Sequence, residues 1–162
     1  MANTPEPARD YSRRHLQIGW WMLFVSATAG LALETFHGFK LRFYLDVSNE
    51  TRRLMWTLAH AHGTLLGAIN VVLGLSLRAR PELLDGNERL VSSSLIGATV
   101  LLPLGFFAGG FGIFGGDPGL GILLLPIGAV LLLAALFSIA RSHRSTGATD
   151  ERRPPPARRN KR

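Results

Sequence analysis

Four apolar blocks constrain this chain more than any other feature: Leu16 to Phe36, Leu54 to Leu77, Leu90 to Phe114 and Gly119 to Ala140. Each approaches or exceeds the ~20 residues that a helix needs to cross a hydrocarbon core of ~30 Å. Glu34 is the only acidic residue inside them. Lipid offers no hydrogen-bond partner to a bare peptide group, so blocks of this length must satisfy their own backbone, and the helix does so within one segment. The predicted fold class is all-α, a four-helix transmembrane bundle. Its spans fall at about 16–37, 54–77, 90–114 and 119–140, within a membrane domain of residues 16–140. Residues 1–15 form an N-terminal flank, and residues 141–162, rich in Arg and Pro with nothing to bury, form a disordered basic tail.

The net charge of +7 is distributed around these blocks, so it speaks for membrane orientation and against nucleic acid. Fourteen of the Lys and Arg residues lie in the N-terminal flank, the Arg78 to Arg89 loop and the tail, and four lie between Lys40 and Arg53. The positive-inside rule then puts both termini in the cytoplasm and makes the protein a multi-pass component of the cytoplasmic (inner) membrane. The tail is expected to rest on anionic lipid. Arg9, Arg13 and Arg14 ahead of Ile18 to Val25, with Ala27-Thr28-Ala29 behind, also resemble a cleavable signal peptide. Apolar residues continue past that step to a full span, so the segment is read as retained. The absence of cysteine excludes disulfides and thiolate metal sites.

The second block carries the polar question. His60 and His62 stand two apart, ~200° around a helix, and cannot share one task. On the side of His60 lie Gly63, Thr64, Gly67, Val71 and Gly74, a small-residue groove through which two membrane helices can approach closely. His62 shares its side with Leu65, Leu66, Ile69 and Leu73, which predicts a lipid-facing stripe. Trp56 is expected to anchor the outer interface, and Trp20 and Trp21 the inner one. In the first block Ser26, Gly30, Glu34 and His37 fall on one stripe. The third block holds Pro103, Gly105 and Gly109, a pattern for a bend and close packing. Asp117 is a candidate cap, with Pro118 at the first position of the fourth helix.

Glu34, His37 and His60 are thus the candidate site. Two imidazoles and a carboxylate suit a transition metal with an open position, and histidines from facing helices suit haem, which would serve electron transfer; the same ionisable groups suit a path for protons or a small solute. The competing expectation is a polar clasp in which Glu34 accepts from His37 or His60 and ties the first two helices. No nucleophile stands near a base, so no catalytic residues are assigned and an enzyme is not expected. The expected role is that of a non-enzymatic accessory protein, without a cofactor, acting through a membrane-protein partner or a homo-oligomer.

The order of several short motifs resembles the YgdD-like (TMEM-type) family, small four-helix membrane proteins of unestablished function. His37-Gly38-Phe39-Lys40 is similar to the family's AHGLK-like end of the first helix. Trp56-Thr57 ahead of His60-Ala61 is similar to the opening of its second, Phe107-Ala108-Gly109 to its FSG-like step, and Pro126-Ile127-Gly128 to its TPIGG-like motif. The resemblance covers about Ala27 to Leu136. It departs at Glu34, where the family usually has a small residue, at His62, and at Ala129 in place of a glycine. It implies four spans and selects His60 over His62.

Overall fold

In the computed structural model, residues 6–45, 50–84 and 86–150 are described, with side chains from 10 to 142. The chain forms four helices: α1 (Glu6–Gly38), α2 (Glu50–Ala79), α3 (Glu88–Gly109) and α4 (Leu124–Asp150). All four are long and apolar enough to cross a membrane, with mean hydropathy of 1.5, 1.4, 1.9 and 2.8 in their most apolar windows. Among the described residues there is no strand, only an isolated bridge between Phe114 and Asp117 in the α3–α4 hairpin.

The helices are arranged as a row. α1 packs on α2, α2 on α3 and α3 on α4, while α1 and α4 make no substantial contact and the ring stays open. The middle pair carries the core. On α2 the buried residues Trp56, Ala59, Gly63, Leu66, Asn70, Leu73 and Leu77 alternate in steps of three and four. Val91, Leu95, Ala98, Leu102 and Gly105 do the same on α3. A seven-residue repeat of this kind keeps one seam facing its neighbour along a left-handed crossing.

The seam between α1 and α2 is built from small residues instead. A Cβ added at Gly67 would stand 3.0 Å from Leu23 Cγ and 3.1 Å from the Leu23 backbone nitrogen; one at Gly74 would stand 3.0 Å from the Leu16 nitrogen. One at Gly19 would stand 2.8 Å from both the Gly67 oxygen and the Val71 nitrogen. The two backbones are therefore nearly in contact, an approach that only glycine permits. Between α3 and α4, Gly105 meets Leu125 and the Gly121 carbonyl closely, whereas Gly109 has ordinary contacts.

Several boundaries differ from the sequence expectation. α1 begins at Glu6, so the expected flank of residues 1–15 is largely helix, and its polar Ser12 and His15 are buried against α2. Sequence polarity hides this because the inward stripe of α1 is itself polar. At the other end α4 runs on to Asp150, so disorder does not begin at 141; residues 151–162 lie outside those described. Pro118 does not open α4, because Leu120–Leu123 first form a 3-10 turn and α4 starts at Leu124. The bond from the Gly119 N–H to the Gly109 carbonyl (2.8 Å) holds this entry against the end of α3. In the α2–α3 connection Pro81–Leu84 form a 3-10 turn whose Leu83 and Leu84 close the core at that end.

The opposite end is closed by aromatic rings. Trp56 is 8% exposed, stacks on Tyr44 and Phe107 and donates its indole N–H to the Phe107 carbonyl (3.1 Å). It is not the interfacial anchor its place near the span end implied. The Phe39–Leu45 segment is a series of turns whose Tyr44 inserts beside it. Arg52 bonds the Phe43 carbonyl (2.8 Å) and the Gly110 carbonyl (3.2 Å), joining that segment to the end of α3.

Gly67→Val forces a branched side chain against backbone atoms of α1. It is expected to cost about 1–3 kcal/mol, as overpacking typically does, and to lower the midpoint of thermal unfolding in detergent by several degrees. Gly97→Ala is the control: its Cβ meets only the far end of Leu131, at 2.8 Å, which can rotate away. An equal loss in both variants would contradict the backbone seam.

Candidate functional site

The outer candidate is a pocket of about 480 Å³ lined by Glu34 and His37 of α1, His60 and Thr57 of α2, and Tyr44. Glu34, His37 and His60 thus reach one pocket, but each has a different relation to it. The His60 ring lies flat over Gly30, where a Cβ would stand 2.6 Å from its Cε1. Its Nδ1 is 2.8 Å from the Ser26 carbonyl oxygen. A carbonyl can only accept, so Nδ1 carries the proton and donates, and in the neutral ring Nε2 keeps the lone pair. Glu34 and His37 are exposed on α1, and neither side chain makes a hydrogen bond to a described residue.

The expected clasp through Glu34 is therefore replaced. Gly30 lets the imidazole sink to the α1 backbone, about one turn short of Glu34, and the helix tie runs from His60 to the Ser26 carbonyl. Among the described residues no three His, Asp or Glu side chains come together as ligands of one metal ion. Sharing a pocket is not sharing a coordination sphere, and these three side chains do not form a three-ligand cluster.

His62 also departs from expectation. It does not face lipid but turns toward α3, its ring 4.6 Å from that of Phe106, at one edge of an apolar cavity of about 540 Å³ between α2, α3 and α4. Leu66 and Leu73, placed with it on a lipid-facing stripe, are core residues at 1% and 4% exposure. The wheel separates the two histidines correctly, but it cannot say that both directions meet a neighbouring helix. His62 Nδ1 donates to the Leu58 carbonyl of its own helix (2.8 Å).

The most deeply buried polar cluster lies at the other end of the row. His15 of α1, Asn70 of α2 and Thr99 of α3 are all at most 1% exposed. His15 Nδ1 donates to Asn70 Oδ1 (2.7 Å), and Asn70 Nδ2 donates to Thr99 Oγ1 and to the Leu66 carbonyl, both at 2.8 Å. Thr99 in turn donates to the Leu95 carbonyl (2.7 Å). Every donor hydrogen of Asn70 is used, and the direction of donation is fixed by the two carbonyls at the ends of the chain. One turn away, Ser12 donates to the Gly74 carbonyl (2.8 Å). His15 Nε2 and Ser92 Oγ are buried without a partner among the described residues.

This cluster escapes a search for span-embedded charge because His15 precedes the first apolar block. One signal was present: Asn70 is the only asparagine in the four blocks, and it falls on the seven-residue seam of α2. A lone polar residue on such a seam fixes register and partner.

Asn70→Ala leaves His15 without its acceptor and Thr99 without its donor, and should cost about 1–3 kcal/mol, the usual penalty for orphaned buried groups. Thr99→Val removes the bond from Asn70 and the bond to the Leu95 carbonyl, but Asn70 keeps its bonds with Leu66 and His15, so it should cost less. A double-mutant cycle by unfolding in detergent checks this, and strictly additive losses would break the proposed coupling. Compared with known proteins, the chain matches no family model, no curated protein and no solved structure.

Proposed function

We propose that this chain is a multi-pass protein of the cytoplasmic membrane, with both termini inside, that works by contact and not by chemistry. It is an accessory or interaction protein, alone or as a homo-oligomer. The observation that carries this reading is how the buried polar groups are used. Ser12, His15, Asn70, Thr99 and His60 each bond a neighbouring helix or their own backbone, so they set helix positions, and among the described residues these bonds bring no nucleophile to a base. The YgdD-like order of motifs supports the same class of small four-helix protein.

The open row favours lateral contact. α1 and α4 expose large side chains on the faces they do not bury, Trp21 at 68% and Leu133 at 67% among them. Faces of this kind meet lipid, and they are also the surfaces on which a further membrane helix can pack.

Two measurements test the proposal. Photo-crosslinkers placed at Trp21 and Leu133 in native membranes should give one discrete adduct with a protein or a second copy, while one at buried Leu66 should not. Absence of a protein adduct at both edges, or a chromophore or stoichiometric metal in the purified protein that is lost in His60→Ala, would overturn it. For orientation, the cysteine-free chain allows single-cysteine labelling: Phe114→Cys should react with an impermeant maleimide in intact cells, and Arg80→Cys only after permeabilisation. The reverse pattern would invert the topology.

A further inference from the structure

A groove of about 1000 Å³ lies at the Ser12–Gly74 end of the row. Its described lining comes from one face of α1, with Arg78 from the last turn of α2. Arg13 and Arg78 both line it; Leu16, Trp20 and Phe24 follow Ser12 at four-residue steps along α1, with Gln17 and Trp21 alongside.

The level of the two arginines is fixed by the seam. Ser12 bonds the Gly74 carbonyl, so Arg13, next to Ser12, and Arg78, one turn beyond Gly74, lie at the same end. Neither guanidinium meets a described carboxylate; the one ion pair among described side chains, Arg53 with Glu50, is at the opposite end of α2. Two guanidiniums that line one groove at one level, with no described carboxylate on either, suit an anion, and their planar forks suit phosphate oxygens.

Beyond them the lining is apolar except for the exposed Gln17. From Arg13 to Phe24 is eleven residues, ~16 Å of helix at 1.5 Å per residue, close to the ~15 Å depth of one leaflet. The exposed indoles of Trp20 and Trp21 lie about two turns along α1 from Arg13, and amphipathic rings of this kind favour the headgroup boundary. Charge at one end, apolar wall below and a length of one leaflet describe a glycerophospholipid. A second copy of this chain fits less well, because a two-fold pairing through this face would bring the arginines of both copies together.

We propose that this groove holds one anionic phospholipid, its phosphate between Arg13 and Arg78 and one acyl chain along Leu16, Trp20 and Phe24. This site is separate from any contact between lipid and the basic tail, and it holds whichever way the protein is oriented.

The test is native mass spectrometry of the full-length protein in detergent, titrated with phosphatidylglycerol or phosphatidylcholine of the same acyl chains. Wild type should retain one phosphatidylglycerol in preference to phosphatidylcholine. Arg13→Gln/Arg78→Gln should bind it roughly 10- to 30-fold more weakly, the effect of two interfacial cations. Full-length protein with Arg152, Arg153, Arg158 and Arg159 changed to Gln should retain it. In vesicles, phosphatidylglycerol brominated on its acyl chains should quench wild-type tryptophan fluorescence more than a Trp20→Phe/Trp21→Phe protein, in which buried Trp56 alone reports. Equal retention of both lipids, loss of binding only in the tail variant, or no difference in quenching would overturn the site. So would a dimer in which the double arginine variant changes association and not lipid binding.

Discussion

The near-contact of the α1 and α2 backbones is the constraint on which the other interactions depend. Glycine at 19, 67 and 74 removes the side chains that would hold the helices apart, and only at that separation do short side chains reach across. Ser12 reaches the Gly74 carbonyl, His15 reaches Asn70 and, in the other direction, His60 reaches the Ser26 carbonyl. Widening this seam by one methyl group would remove hydrogen bonds as well as packing. The seam therefore sets register from one end of the pair to the other, although each bond between helices contributes only ~0.6 kcal/mol on average.

The register is carried to α3 by two different devices. At one end it is a directed chain of hydrogen bonds, in which His15 donates to Asn70, Asn70 to Thr99 and Thr99 to its own helix backbone. At the other it is a cluster of rings around Trp56, with the indole N–H bonded to the Phe107 carbonyl and Arg52 bonded to Gly110. Between them the leucine seam of α2 and α3 is free to slide by a turn without exposing polar atoms. The polar and aromatic ends select one alignment.

The architecture was legible in the sequence because span length and lack of charge are local properties. Four helices of the right class stand where the apolar blocks are. The faces were less legible. A helical wheel gives angles between residues of one helix but no neighbour for any angle, which is why Leu66 and Leu73 were placed toward lipid and lie in the core. Glu34 and His37 share a stripe with Ser26 and Gly30, yet His60 bonds only the lower part of it, since its ring drops onto the space Gly30 leaves. His15 was hidden for another reason. Hydropathy marks where a span is apolar, and α1 begins its packing against α2 before that point, with residues that look like an aqueous flank.

α1 reverses the pattern of a soluble amphipathic helix, and this ties the fold to its solvent. Its buried side is Ser12, His15, Gly19 and Ser26, and its exposed side carries Trp20, Trp21, Phe24 and Leu31. Only 11% of its most apolar window is buried, against 39% in α2. In water such a helix would gain little apolar burial by docking and would leave its large side chains wet, so nothing would hold it to α2. In lipid the large side chains are already solvated, and association rests on the close fit and the hydrogen bonds that small residues permit. The α1–α2 seam is therefore stable because the bilayer supplies what the exposed face needs, and the polarity of the inward stripe is the consequence of that division.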